Sequence, residues 1–308
     1  PWFDRPLSIA GRVIVRKDGK LEEKLIDFDR NLVMIPNLAI HMNREANSGV
    51  SYNPQKDMLP LFSMGGSDVS LQKLLSTQLD VEEKDILSHD LFLYNRMEGS
   101  IWGAENEFAS SARLDDLQCA FASLKGFLGA QKQDCIAVHC VLDNEEVGSG
   151  TKQGAASTFL KDTLLRINSG LGRTYEEYLM TLADSFMISA DNAHALHPNY
   201  TDKADPVNHP LLNKGIVIKY NANQKYCTDA VSAAVFKDLC DRADVPWQTF
   251  VNRSDIPGGS TLGNISNTQV PMNTVDIGLP QLSMHSPYET AGVRDTEYFV
   301  KAAKEFFA

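Results

Sequence analysis

Paired glutamates stand in Leu142-Asp-Asn-Glu-Glu-Val-Gly-Ser149, directly after an apolar, strand-like run. Three further groups of similar chemistry occupy comparable places. Asp191 follows Phe186–Ala190, His285 follows the run from Val275 to Leu282, and Asp115 opens a helix expected from Leu117. Sites in α/β sheets gather beyond the carboxyl ends of strands. Carboxylate oxygen and imidazole nitrogen are donors that divalent metals accept. Two metals a few ångströms apart need a carboxylate to bridge them. Asp115, Glu146, Asp191 and His285 could supply most of such a site, and Glu145 would then be free to act as a base.

Each residue has a plainer reading. Asp115 could cap its helix. A Glu-Glu pair in a loop is commonly a solvated feature, an Asp after a strand a turn residue, and a lone His a hydrogen-bonded structural group. Spacing alone leaves these alternatives open.

The elements that must hold these residues fall into two regions. Residues 1–98 read as β-rich. Gly11-Arg-Val-Ile-Val-Arg16 alternates and runs into the turn signal Lys17-Asp-Gly19. The apolar run Leu32 to His41 is interrupted by Pro36, residues 44–68 read as loop, and a short helix is expected over Leu71 to Leu79. From residue 99 strands and helices alternate. Apolar residues at 117, 120, 121, 124, 127 and 128 predict an amphipathic helix. Ile136–Leu142, Phe186–Ala190, Gly215–Lys219 and Val245–Val251 read as strands. Helices are expected around Phe159–Leu164, over 229–242 and over 296–307. The alternation predicts an α/β sandwich.

The chain has 308 residues and is 43% hydrophobic, enough for a large core or for a catalytic domain with a smaller companion. The net charge of −11 comes without a Lys/Arg-rich tract, which argues against nucleic acid and anionic membranes as partners. No apolar run reaches transmembrane length. Five scattered cysteines form no CxxC pair and read as reduced, packed thiols, so a cytoplasmic setting is expected. Pro1 in place of Met predicts that a longer protein precedes this start.

A set of ordered motifs runs almost end to end. They include Trp2-Phe-Asp-Arg5, Ile35-Pro-Asn-Leu-Ala-Ile-His41, Ala112-Arg-Leu-Asp115 and the paired-glutamate segment. Ser189-Ala-Asp191, Ala193-His-Ala195, His197-Pro-Asn-Tyr200, Val217-Ile-Lys219, Gly259-Ser-Thr-Leu-Gly263, Val275-Asp-Ile-Gly278 and Met284-His-Ser286 belong to it as well. Through them the chain resembles the aspartyl aminopeptidase and vacuolar aminopeptidase I family of dinuclear metallo-aminopeptidases.

The resemblance implies an α/β/α sandwich metallopeptidase domain over 99–308, lacking its N-terminal portion, and a β-rich dimerisation domain over 1–98. It implies two divalent metal ions, zinc first, with manganese or cobalt as alternatives. Asp115 matches the bridging carboxylate, Glu146 and His285 the ligands of one metal, and Asp191 a ligand of the other. Glu145 matches the general base, which takes a proton from water and returns it to the leaving amine. His194, Lys219 and Tyr226 match substrate contacts. His41 matches a histidine that reaches the active site of a neighbouring subunit, and the family assembles dimers into tetrahedral dodecamers.

The expected activity is removal of the N-terminal residue from peptides, with Lys219 favouring Asp or Glu. The alternatives are a preference for neutral residues or a catalytically impaired assembly subunit. A deacylase or carboxypeptidase of the wider clan is the other enzyme reading. Two departures from the family pattern stand out. The family's remaining metal ligand is a histidine in a His-x-Asp motif that precedes its Trp-Phe-Asp-Arg segment and is not part of this sequence, and Asp116 stands where the family usually has Asn, in an expected supporting role.

Overall fold

The computed structural model describes residues 2–65, 68–131 and 135–308. They form two compact units, Pro1–Glu98 with Ser286–Tyr288 and Gly99–His285 with Glu289–Ala308.

The first unit holds strands β1 (Leu7–Lys17), β2 (Lys20–Asp27) and β3 (Ile86–Asn95), and helices α1 (Pro54–Asp57) and α2 (Leu71–Leu79). The sheet order is β2-β1-β3, antiparallel throughout. Lys17-Asp-Gly makes the expected turn. Asp18 and Gly19 both take positive φ (50° and 74°), the geometry that matches the twist of paired strands. Alternate β1 residues Leu7, Ile9, Val13 and Val15 are buried, with Leu75 of α2 in the same core. The expected helix starts at Ser70, whose hydroxyl accepts from Lys73 N, and stops at Asp80 in the left-handed region. The stretch read as loop holds α1, which Asn53 caps and Pro54 begins.

The second unit carries β4 (Ser100–Trp102), β5 (Phe108–Ser111), α3 (Leu114–Gly129), α4 (Phe159–Gly170), α5 (Tyr175–Ala183), β6 (Phe186–Ala190), β7 (Ala193–His194), β8 (Ile216–Tyr220), α6 (Ala230–Arg242), β9 (Trp247–Val251), α7 (Leu262–Ser266), β10 (Asn273–Gly278), β11 (Pro280–Leu282), β12 (Glu289–Gly292) and α8 (Asp295–Phe307). One sheet has the order β6-β10-β8-β9, and a second has the order β4-β5-β12-β11-β7. In the first sheet β6 and β10 run parallel, as do β8 and β9. Ile216 and Ile218 of β8 and Val275 and Ile277 of β10 meet Phe236 of α6 and Phe299 of α8 in the main core. β8 opens on the continuous apolar run Ile216-Val-Ile218 because both of its faces are covered, whereas β10 intersperses Thr274 and Asp276, also buried. The architecture is mixed α/β with several sheets.

Two expectations fail. The helix predicted from the 117–128 pattern forms as α3, but it buries Gln118, Cys119, Ala122 and Gly126. Leu117, Phe121, Leu124 and Leu128 are exposed. The contact face is set by α8: a Cβ added at Gly126 would collide with the Ala303 side chain. Close helix approach selects small residues there, so size decides the face more than hydropathy does. The run Ile136–Leu142 forms no strand. Ile136 and Val141 are 55% and 64% exposed, and Cys135 is exposed too. A strand needs a neighbour for its N–H and C=O groups, and none of the described strands pairs with this run. It borders a cavity of ≈ 720 Å³ together with α4, α5 and β6. Among the described residues no helix is long and apolar enough to cross a membrane.

Candidate metal centre and its surroundings

Asp115 lies in a kink at the start of α3, with extended backbone (φ −83°, ψ 112°), and its peptide to Asp116 is cis. Its side chain is 5% exposed. Glu145 and Glu146 form a 3₁₀ turn bracketed by Asn144 (φ 62°) and Gly148 (φ 102°). The Ser149 amide donates to the Asn144 carbonyl and closes the turn. Asp191 is the first residue after β6, and its amide donates to Ile277 of β10 at 3.1 Å. His285 follows β11 in the left-handed region (φ 64°).

These segments converge. His285 Nε2 lies 3.3 Å from Asp115 Oδ2 and 3.1 Å from Glu146 Oε2. Donor atoms of Asp115, Glu146 and His285 lie within 4.8 Å of one another, and so do those of Asp115, Asp116 and Asp191. Asp115 belongs to both groups. Asp116, expected in a supporting role, thus places its own carboxylate in the second group.

The electrostatics follow from crowding. Burial, then the neighbouring Asp191 and Glu146, push the Asp115 carboxyl up to about 8. Burial and Asp191 drive Asp116 well above its ordinary value. Glu145 is raised by burial, Asp191 and Glu146, against the pull of Lys219 and His285. Three carboxylates so close repel one another, and a cation between them removes that cost. The donor set of hard oxygens with one imidazole suits zinc, and also manganese or cobalt.

A cavity of ≈ 140 Å³ collects the predicted residues. Asp115, Glu145, Glu146, Asp191, His194, Lys219, Tyr226 and His285 all line it, with Phe250, Thr261 and Met284. Lys219 comes from β8, and its Nζ donates to Asp191 Oδ2 at 3.3 Å and to the Asn192 carbonyl at 2.8 Å. Burial alone would lower its ammonium, but Asp191, Tyr226 and Asp276 outweigh that and raise it. Its Nζ also lies 5.6 Å from the Tyr226 ring centroid. Burial, then Lys219, lower the His194 imidazole. Gly278 lets β10 pass this corner: a Cβ there would overlap the Asp191 carbonyl and press on Lys219 Cε at 2.9 Å. His41 is not in this group. It belongs to the first unit and is exposed in a turn there.

Two buried acids escaped the sequence reading. Asp276 accepts from the Cys227 amide and from Thr261 Oγ1 at 2.9 Å, joining two loops at the cavity rim. Glu289 accepts from the amides of Asp115 and His285. A four-residue step from His285 to Glu289 was the only available hint, and it carries no chemistry without the contacts.

An α/β unit with a carboxylate and imidazole cluster in its cavity is the frame of a metal-dependent hydrolase. The chain belongs to the M18 aminopeptidases: residues 1–307 match the family described as Aminopeptidase I zinc metalloprotease (M18). It is 48% identical to the probable M18 family aminopeptidase 2 of Clostridium novyi over 312 residues, covering 99% of this chain and 72% of that protein. The protein of the same description from Pseudomonas syringae pv. tomato is 42% identical, again over 72% of its length. Among solved structures, that of the Ape4 and Nbr1 complex matches with a TM-score of 0.91 and 37% identity, covering 99% of this chain and 63% of that one. The prApe1 structure matches at a TM-score of 0.90 and 26% identity, over 99% of this chain and 70% of that one.

Proposed function

We propose that this protein is a dinuclear zinc aminopeptidase that removes N-terminal residues from peptides, with Glu145 as its general base. The observation that carries the reading is the single cavity lined by Asp115, Glu145, Glu146, Asp191 and His285. Asp115 would be shared between two ions. Glu146 and His285 would complete one set, and Asp191, with Asp116 beside it, would serve the other. Bound there, the ions would make water acidic enough to lose a proton near neutrality and would polarise the scissile carbonyl. Glu145, adjacent to a ligand but outside both three-residue groups, takes that proton and hands it to the leaving amine. The carboxylates also attract a free α-amino group, which favours exopeptidase action.

Lys219 supports a preference for substrates with an N-terminal Asp or Glu. An ammonium has three donors; Asp191 and Asn192 take two, and the remaining one can meet a substrate carboxylate in the cavity. Tyr226 and His194 would frame the same side chain. His41 would act at a neighbour's site, through dimers built on residues 1–98. One of the structural relatives is described as a dodecamer of S. cerevisiae mApe1, and a tetrahedral dodecamer is the assembly proposed here too. A cytoplasmic setting is proposed on the strength of the free cysteines.

The native protein should release the first residue of a free-amino peptide and spare the N-acetylated form. Equal cleavage of the blocked peptide would point to the deacylase reading instead. Faster turnover of Leu-amide than of Asp- or Glu-amide would overturn the acidic preference alone.

A further inference from the structure

We propose that Glu289 is the positioning residue that presets the distance between the Asp115 and His285 side chains. The inference rests on the metal-site reading above. β12 is the middle strand of its sheet, between β5 and β11. Glu289 heads it, opposite Ser111, the last residue of β5. On the other side the ladder ends at the pair Leu282↔Thr290. Both neighbouring strands therefore leave the sheet beside Glu289, one towards Asp115 and the other towards His285.

Neither departing segment has regular structure to hold it. Arg113, Ser283 and His285 all take positive φ (61°, 60° and 64°), and Asp115 is extended where the helix should begin. The Glu289 carboxylate, 2% exposed, supplies what the ladders no longer do. Its Oε2 accepts from Asp115 N at 3.0 Å and its Oε1 from His285 N at 2.7 Å. One rigid, buried group thus fixes two backbones whose side-chain donors stand 3.3 Å apart. Two oxygens meet two N–H donors; an amide offers one oxygen only and turns an N–H against an N–H. Glu289 touches neither metal nor substrate in this arrangement. It acts through Asp115 and His285, as groups behind a metal's ligands commonly do.

The test measures zinc affinity by chelator competition, and the visible spectrum of the cobalt-substituted protein, in wild type, Glu289→Gln and Asp115→Ala. Glu289→Gln should fold, weaken zinc binding roughly 10- to 100-fold and shift the cobalt spectrum. If Gln does not fold, Glu289→Asp, which keeps the charge but shortens the reach, should show the same weakening. A folded variant with zinc affinity within about twofold of wild type and an unchanged spectrum overturns the proposal. So does collapse of both variants in the presence of zinc, which would make Glu289 a residue of the fold alone. Asp115→Ala separates the two readings. If it binds zinc like wild type, the metal site itself is wrong; if it loses zinc while Glu289→Gln does not, only the positioning role fails.

Discussion

At the residue scale the paired glutamates differ in position, and the proposed roles follow that difference. Glu146 Oε2 sits 3.1 Å from His285 Nε2, in a ligand group with Asp115. Glu145 lines the same cavity without joining that group. Glu145→Gln should therefore keep its metal content while turnover falls roughly 100- to 10,000-fold, as loss of a general base does. Turnover within a few-fold of wild type, measured on a free-amino peptide, would remove Glu145 from that role. That these residues gather in one cavity was legible in the sequence through the order of their motifs, whereas spacing alone left each one's role open. Asp116 and Glu289 were not, since an acid's part in a site depends on contacts across the fold that adjacency in the chain does not reveal.

At the element scale, strands with covered faces were the most legible. β8, a short apolar run in the sheet interior, is buried from Ile216 to Lys219, while the edge strands β6 and β9 are half-buried and were legible from their apolar and aromatic residues. The Ile136–Leu142 run has the same composition and forms no strand, because pairing is a property of two segments and the pattern describes one. The α3 stripe misled for a related reason: α8 packs on Gly126 and Ala122, and the large residues face out. Gly126→Leu should accordingly destabilise the second unit by about 1–3 kcal/mol through overpacking. Leu128→Ala should cost far less, because Leu128 is 70% exposed. Urea unfolding of the two variants decides it, and equal effects would refute the packing face. α8 also carries a pH-sensitive group at its start. Asp295 accepts from the amides of Asn213 (2.7 Å) and Gly215 (3.1 Å), and burial pushes its carboxyl up to about 7. Its folded value exceeds the unfolded one, near 4, so the folded state holds the proton more tightly. Its stabilising contribution is complete below about pH 4 and is lost as pH rises towards 7. Asp295→Asn should flatten that part of the stability-versus-pH curve, and an unchanged slope would contradict it.

At the scale of the whole molecule, the second unit holds the candidate metal centre and the first holds His41. If His41 completes a neighbour's site, catalysis depends on assembly. Mixing Glu145→Gln subunits with His41→Phe subunits should then restore part of the activity that each lacks alone, because some mixed dimers hold one intact site. No recovery, with the assembly unchanged by light scattering, would confine each site to its own subunit. The proposed catalysis depends on a metal pair held by shared carboxylates. The most direct test is the zinc content of the native protein and of Asp115→Ala after exhaustive dialysis. The account predicts two zinc ions per wild-type chain and loss of both on removing the carboxylate they share. A wild-type chain with no zinc, or an Asp115→Ala chain that keeps two, would contradict it.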